Sequence, residues 1–78
     1  MDWLDLTYFA AAAEELSFAS AATRLHVTHP AVSQRIGRFE RRLRVALFDR
    51  SSRGVTLTAA GRELLPRARE LLALHEQA

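Results

Sequence analysis

Residues Leu16 to Leu43, LSFASAATRLHVTHPAVSQRIGRFERRL, carry two helix starts and decide the fold. Ser17 stands before the small-residue stretch Ala19, Ala21 and Ala22. Thr28 stands before His29 and Pro30. Each hydroxyl is placed to accept a hydrogen bond from an orphan amide at the start of a helix. Pro30 suits a first helical turn, where its missing N–H is no loss. Leu25, His26 and Val27 leave room for only a tight turn between the two helices, and Ala21 and Ala22 permit their close approach. The pattern predicts a helix-turn-helix.

On the second helix, Val32, Ile36, Phe39 and Leu43 recur at spacings of four, three and four. One core-facing stripe is therefore predicted. The opposite face carries Pro30, Gln34, Gly37 and Arg41, flanked by Ser33 and Arg38, with Thr28 and His29 at its N-terminal end. Small and hydrogen-bonding residues of this kind suit insertion into a DNA major groove.

Charge supports the same reading. The net charge is +2, but residues 1 to 23 hold four acids and no base, whereas Arg24 to Arg53 holds eight arginines against Glu40 and Asp49. Basic surface is thereby concentrated on and after the second helix, as phosphate contact requires. All eleven basic residues are Arg, which suits bidentate contacts and fits a genome-wide compositional bias equally well.

From Ala46 to Thr58 the segment ALFDRSSRGVTLT reads as a two-stranded hairpin. Leu47 and Phe48 fall on the first strand, Thr56 and Leu57 on the second. Arg50 and Arg53 are expected to project from the tip, where arginine can enter a minor groove or clamp a phosphate. A last helix is predicted from the N-cap Thr58 to the C-terminus. Its stripe of Gly61, Leu64, Leu65, Ala68, Leu71, Leu72 and His75 carries more apolar surface than the small body can easily cover. Pairing with a second copy through Leu64, Leu65, Ala68, Leu71, Leu72 and His75 is the expectation. The alternative is packing against the first helix, where Leu6, Phe9, Ala13 and Leu16 form a stripe of their own. Pro66 is expected to kink this helix or mark its end.

At 78 residues the chain is expected to form a small, marginally stable body helped by oligomerisation. It has no cysteine, so disulfides and thiolate metal sites are excluded, and no apolar run long enough to cross a bilayer. A cytoplasmic protein without membrane attachment is expected. His26, His29 and His75 have no companion carboxylates or thiols at ligand spacing, so no metal, no cofactor and no catalytic residues are predicted. Ser33 near His29 lacks an orienting third group for nucleophilic chemistry. A protein-interaction module built on the leucine stripe is the competing class.

The motifs LTYF (Leu6 to Phe9), SFASAATRLHV, THPAVSQRI, FERRL, LFDR and LTAAG (Leu57 to Gly61) resemble the N-terminal domain of LysR-type transcriptional regulators over almost the whole chain. The resemblance implies a mainly α fold, a winged helix-turn-helix of three helices plus a two-stranded wing over residues 1–57. A linker helix over 58–78 then pairs two copies. It implies a homodimer reading an inverted repeat in double-stranded DNA, tetrameric assembly of the full-length protein, and a small-molecule effector acting only through a further domain. These residues are thus expected to be cut from a longer regulator. The implied DNA contacts are Thr28, His29, Pro30, Ser33, Gln34, Arg35 and Arg38 on the second helix, with Arg50 and Arg53 in the wing. Two positions depart from the family pattern: His29 stands where Gln is usual, and Arg44 where Gly is usual. The first changes base preference, and the second puts a side chain at a site that favours positive φ.

Overall fold

A computed structural model describes residues 2–77, with helices α1 (Trp3–Glu15), α2 (Phe18–Leu25), α3 (His29–Leu43) and α4 (Ala59–Gln77) and strands β1 (Phe48–Ser51) and β2 (Gly54–Leu57). The strands pair antiparallel, with Phe48 opposite Leu57 and Ser51 opposite Gly54. Each strand is thus longer than the hairpin pattern predicted, and only Ser52 and Arg53 turn the chain. Gly54 follows at φ +122°, a conformation that side chains disfavour.

The helix boundaries follow local chemistry. Asp2, Ser17 and Thr28 each accept from an amide of the first turn, at 3.1, 3.1 and 3.2 Å. Thr58 Oγ1 accepts from Gly61 N at 3.1 Å at the head of α4. At the other ends, Leu16, His26 and Arg44 adopt left-handed φ of 50°, 59° and 58°. Their amides return to carbonyls of the last turn, which closes the helix at a local conformational cost. The tight turn between α2 and α3 is His26 to Thr28, one residue later than the pattern suggested.

The core centres on α1, which packs on α2, α3 and α4. Phe9 is fully buried, as are Val32 and Ile36, and Phe39 is nearly so. Phe48 docks the wing into this centre, its ring 5.6 Å from Phe9 and 5.3 Å from Phe18. Consecutive alanines Ala10 to Ala13 are all buried, so the neighbouring helices pack close to the α1 backbone. Two stripes end earlier than expected, for Leu16 and Leu43 are 48% and 36% exposed. Both sit at helix ends, where the chain turns away from the core.

The leucine stripe of α4 divides between two faces. Ala68 is fully buried and belongs to the chain's own core, with Leu64, Leu65 and Leu72 packed against it. The expectation that Ala68 forms part of a seam between copies is thus corrected. Its methyl fills the close approach of α4 to α1, the intramolecular alternative. Leu71 and Leu74 stay exposed, at 41% and 63%. His75 stacks on Trp3 with ring centroids 4.0 Å apart. Helix α4 runs through Pro66 without ending. Among the described residues no helix is long and apolar enough to cross a membrane.

Candidate nucleic-acid interface

The recognition surface begins with the caps of α3. Thr28 Oγ1 is engaged as an acceptor by Ala31 N, which leaves its hydroxyl hydrogen free to donate outward. His29, Pro30, Gln34, Arg38 and Arg41 are exposed, and Ser33 and Gly37 partly so. With Val32, Ile36 and Phe39 pinned inside, the rotation of the helix is set and this polar face must look outward. A helix of this width fits a major groove, and Gln34 can pair with an adenine edge.

Ion pairing sorts the eight arginines between Arg24 and Arg53. Arg24 is held by Glu14 at 2.8 Å and Glu15 at 3.3 Å. Arg35 reaches Asp5 at 3.1 Å and Asp2 at 3.6 Å, and its guanidinium lies 5.1 Å from the Tyr8 ring centroid. Arg42 lies 3.3 Å from Asp5 Oδ2, an oxygen with charge nearby but no hydrogen bond. Asp5 is only 1% exposed, so these two arginines neutralise a carboxylate sealed under α3. Arg35, expected among the DNA contacts, thus turns back to α1 and locks the recognition helix in place.

Arg50 is also displaced from its expected position. It lies in β1 opposite Val55, with its guanidinium 4.5 Å from the Phe18 ring centroid and 3.6 Å from Glu40 Oε1. The hairpin tip is Ser52 and Arg53, and Arg53 alone of the two wing arginines projects there. Arg38, Arg41, Arg44 and Arg53 form no ion pair among the described residues.

Glu40 joins the recognition helix to the wing. Its Oε2 accepts from Leu47 N at 2.7 Å and Phe48 N at 3.2 Å, while Oε1 faces Arg50. Sequence patterning marked Glu40 only as an acid within a basic run. The amides it caps lie seven and eight residues away and become its partners only in the fold.

A second acid, Glu14, accepts from Arg69 Nε at 2.7 Å and ties α4 to α1. The Arg69 hydrogen bond, with help from Arg24, holds its carboxyl below the usual range against partial burial. Among the described residues, no three His, Asp or Glu side chains gather as a metal site would require.

A packed helix pair with an outward polar helix, a two-stranded wing, and cations on both that form no ion pair among the described residues define a winged helix-turn-helix DNA-binding domain. Residues 3–62 match the model of the bacterial regulatory helix-turn-helix proteins of the lysR family, and the chain belongs to that family. It is 54% identical over 76 residues to an HTH-type transcriptional regulator from the ibpB-leuC intergenic region of Azotobacter vinelandii, covering 97% of this chain and 53% of that protein. It is 49% identical over 74 residues to the regulator TfdS of Cupriavidus pinatubonensis, covering 95% of this chain and 25% of TfdS. The chain thus spans about half of the first relative and a quarter of the second.

Solved structures agree. The DNA-binding domain of CbnR in complex with DNA superposes with a TM-score of 0.93 at 43% identity, covering 99% of this chain and 88% of that one. That of BenM on its benA site 1 DNA gives 0.94 at 36% identity, covering 99% and 86%.

Proposed function

We propose that this chain is the operator-reading part of a bacterial transcriptional regulator. It acts as a homodimer on an inverted repeat, with α3 in the major groove and Arg53 at the adjacent minor groove. The observation that carries this reading is the sorting of the arginines. Of the eight arginines from Arg24 to Arg53, four are paired with acids of the protein body, whereas Arg38, Arg41, Arg44 and Arg53 form no ion pair among the described residues and lie on α3, its cap and the wing tip. A surface that needed charge only for solubility would not require this division.

Thr28, His29, Pro30, Ser33, Gln34 and Arg38 form the reading set, and Arg53 is the minor-groove contact. Helix α4 pairs two copies through its exposed Leu71 and Leu74 together with the Trp3–His75 stack. Because Ala68 is buried in the chain's own core and Leu65 and Leu72 are packed partly against it, a function resting on the leucine stripe alone loses part of its surface. The protein works in the cytoplasm and performs no catalysis. Effector sensing and tetramer formation belong to a further domain of the longer regulator.

Selection of bound sequences from a randomised duplex pool at two salt concentrations tests this reading. Enrichment of an inverted repeat, with affinity falling steeply with salt, is expected. Arg53→Ala should lower the salt slope by about one. Binding with no sequence enrichment, or no binding at low salt, would overturn the proposal.

A further inference from the structure

We infer that His29 reads guanine in the major groove, and that a proton on its imidazole sets how strongly guanine is preferred to adenine. The inference rests on the DNA-binding reading above and deepens it by naming a base and the condition under which it is chosen. His29 is the first residue of α3 and is exposed next to the cap Thr28. In a helix-turn-helix the N-terminal residues of the second helix meet the base edges. Pro30, the next residue, has neither a hydrogen-bonding side chain nor an N–H, so the imidazole and the Thr28 hydroxyl are the polar groups at this end of the helix.

The ring is braced on one side and open on the other. It meets Phe18 of α2 in a T-shaped contact, with centroids 6.4 Å apart and planes at 70°. Phe18 is buried and packs on Phe48, so the brace is anchored in the core. The ring nitrogens of His29 form no hydrogen bond or ion pair among the described residues. His29 lines an open depression shared by the start of α2, α3 and the wing, where Arg50 is the one charged side chain and no acid stands among the described residues. Arg50 is itself engaged by Glu40 and by the Phe18 ring. An acceptor for an N–H of His29 must therefore come from the DNA.

Hydrogen-bond chemistry then selects the base. Both purines present N7 as an acceptor, but the group beside it is the acceptor O6 in guanine and the donor N6 amino group in adenine. A neutral imidazole has one donor and one acceptor nitrogen, so by turning its ring it can donate to either purine or accept from the adenine amino group. Once protonated, it presents a donor from either nitrogen. The contact to guanine becomes charge-assisted, whereas the adenine amino group faces a second donor. Histidine is the side chain whose charge changes between about pH 5 and 8. Glutamine keeps a donor and an acceptor at every pH and pairs with adenine through both. Guanine preference therefore rises as pH falls with His29 in place, and stays level with glutamine there.

The test is selection from a randomised duplex pool by the 78-residue chain at about pH 5.5 and about pH 8, comparing guanine and adenine counts at each operator position. At one position of each half-site the guanine-to-adenine ratio should rise about fivefold at the lower pH, the gain from a neutral to a charge-assisted hydrogen bond. His29→Gln should give one ratio at both pH values. His26→Asn removes the neighbouring imidazole, keeps a residue suited to the left-handed φ of 59°, and should behave as the parent. Both histidines are exposed, so neither change should disturb the fold. A parent ratio that does not move with pH, a shift that survives His29→Gln, or one that vanishes in His26→Asn would overturn the inference, while an enriched operator would leave the DNA-binding reading intact. No enrichment by the parent at either pH would overturn both.

Discussion

Removing an acid that stands among the arginines of α3 and the wing should strengthen DNA binding if charge alone decides, and Glu40→Ala is expected to do the opposite. The substitution strands the Leu47 and Phe48 amides, whose residues are 1% and 5% exposed. An unsatisfied buried donor costs about 1–3 kcal/mol. The Glu40 side chain is 17% exposed, so water can reach part of the gap, and a loss of roughly 2–3 kcal/mol for the pair is expected. Against a total of about 4–12 kcal/mol for a chain of this length, the variant stays folded but is clearly weakened.

Its wing is then no longer fixed to α3. Even for a phosphate as near as about 6 Å across water, deleting the negative charge gains only about 0.7 kcal/mol. Loss of the Arg53 contact costs a factor of about eight at 0.1 M salt, or about 1.2 kcal/mol. The net expectation is binding roughly two- to threefold weaker, on the balance of those two terms. Glu40→Gln retains an acceptor oxygen for both amides and loses only the charge-assisted part, about 1 kcal/mol. Urea unfolding and fluorescence anisotropy on one duplex measure both quantities. Unchanged stability with tighter DNA binding in Glu40→Ala would refute the positioning role.

Gly61→Ala adds a good helix former and should still destabilise, because its methyl would meet the Leu47 carbonyl oxygen and come within 2.8 Å of Leu57 Cδ2. Overpacking of this kind costs about 1–3 kcal/mol, and a melting temperature at or above that of the parent would contradict it. Glu14 has its carboxyl lowered by Arg69, so its contribution is present above the ordinary glutamate range and disappears as pH falls through the lowered value. Urea midpoints of the parent should therefore drop more than those of Glu14→Gln between neutral pH and acid; parallel curves would exclude the contribution. Leu71→Glu should dissociate the proposed dimer while leaving the protomer folded, whereas Ala68→Glu should unfold it. Sedimentation of an intact Leu71→Glu dimer would remove Leu71 from the interface.

Element identity was legible in the chain because it depends on local chemistry. Ser17, Thr28 and Thr58 cap the helices they precede, and Val32, Ile36 and Phe39 bury the face their spacing predicted. Hydroxyls beside orphan amides and apolar residues at helical spacing need no knowledge of distant contacts. The polar face of α3 follows from the same periodicity.

Only the tertiary structure decided what each charge and each leucine does. Arg35 and Arg38 are alike in sequence, yet one neutralises a buried Asp5 contributed by α1 and the other is left exposed. Arg50 belongs to Glu40 and Phe18, 10 and 32 residues away, and Ala68 to the chain's own core. The reason is physical. A cap or a stripe is a property of neighbours along the chain, whereas an ion pair or a packed methyl depends on which surfaces the folded backbone brings together.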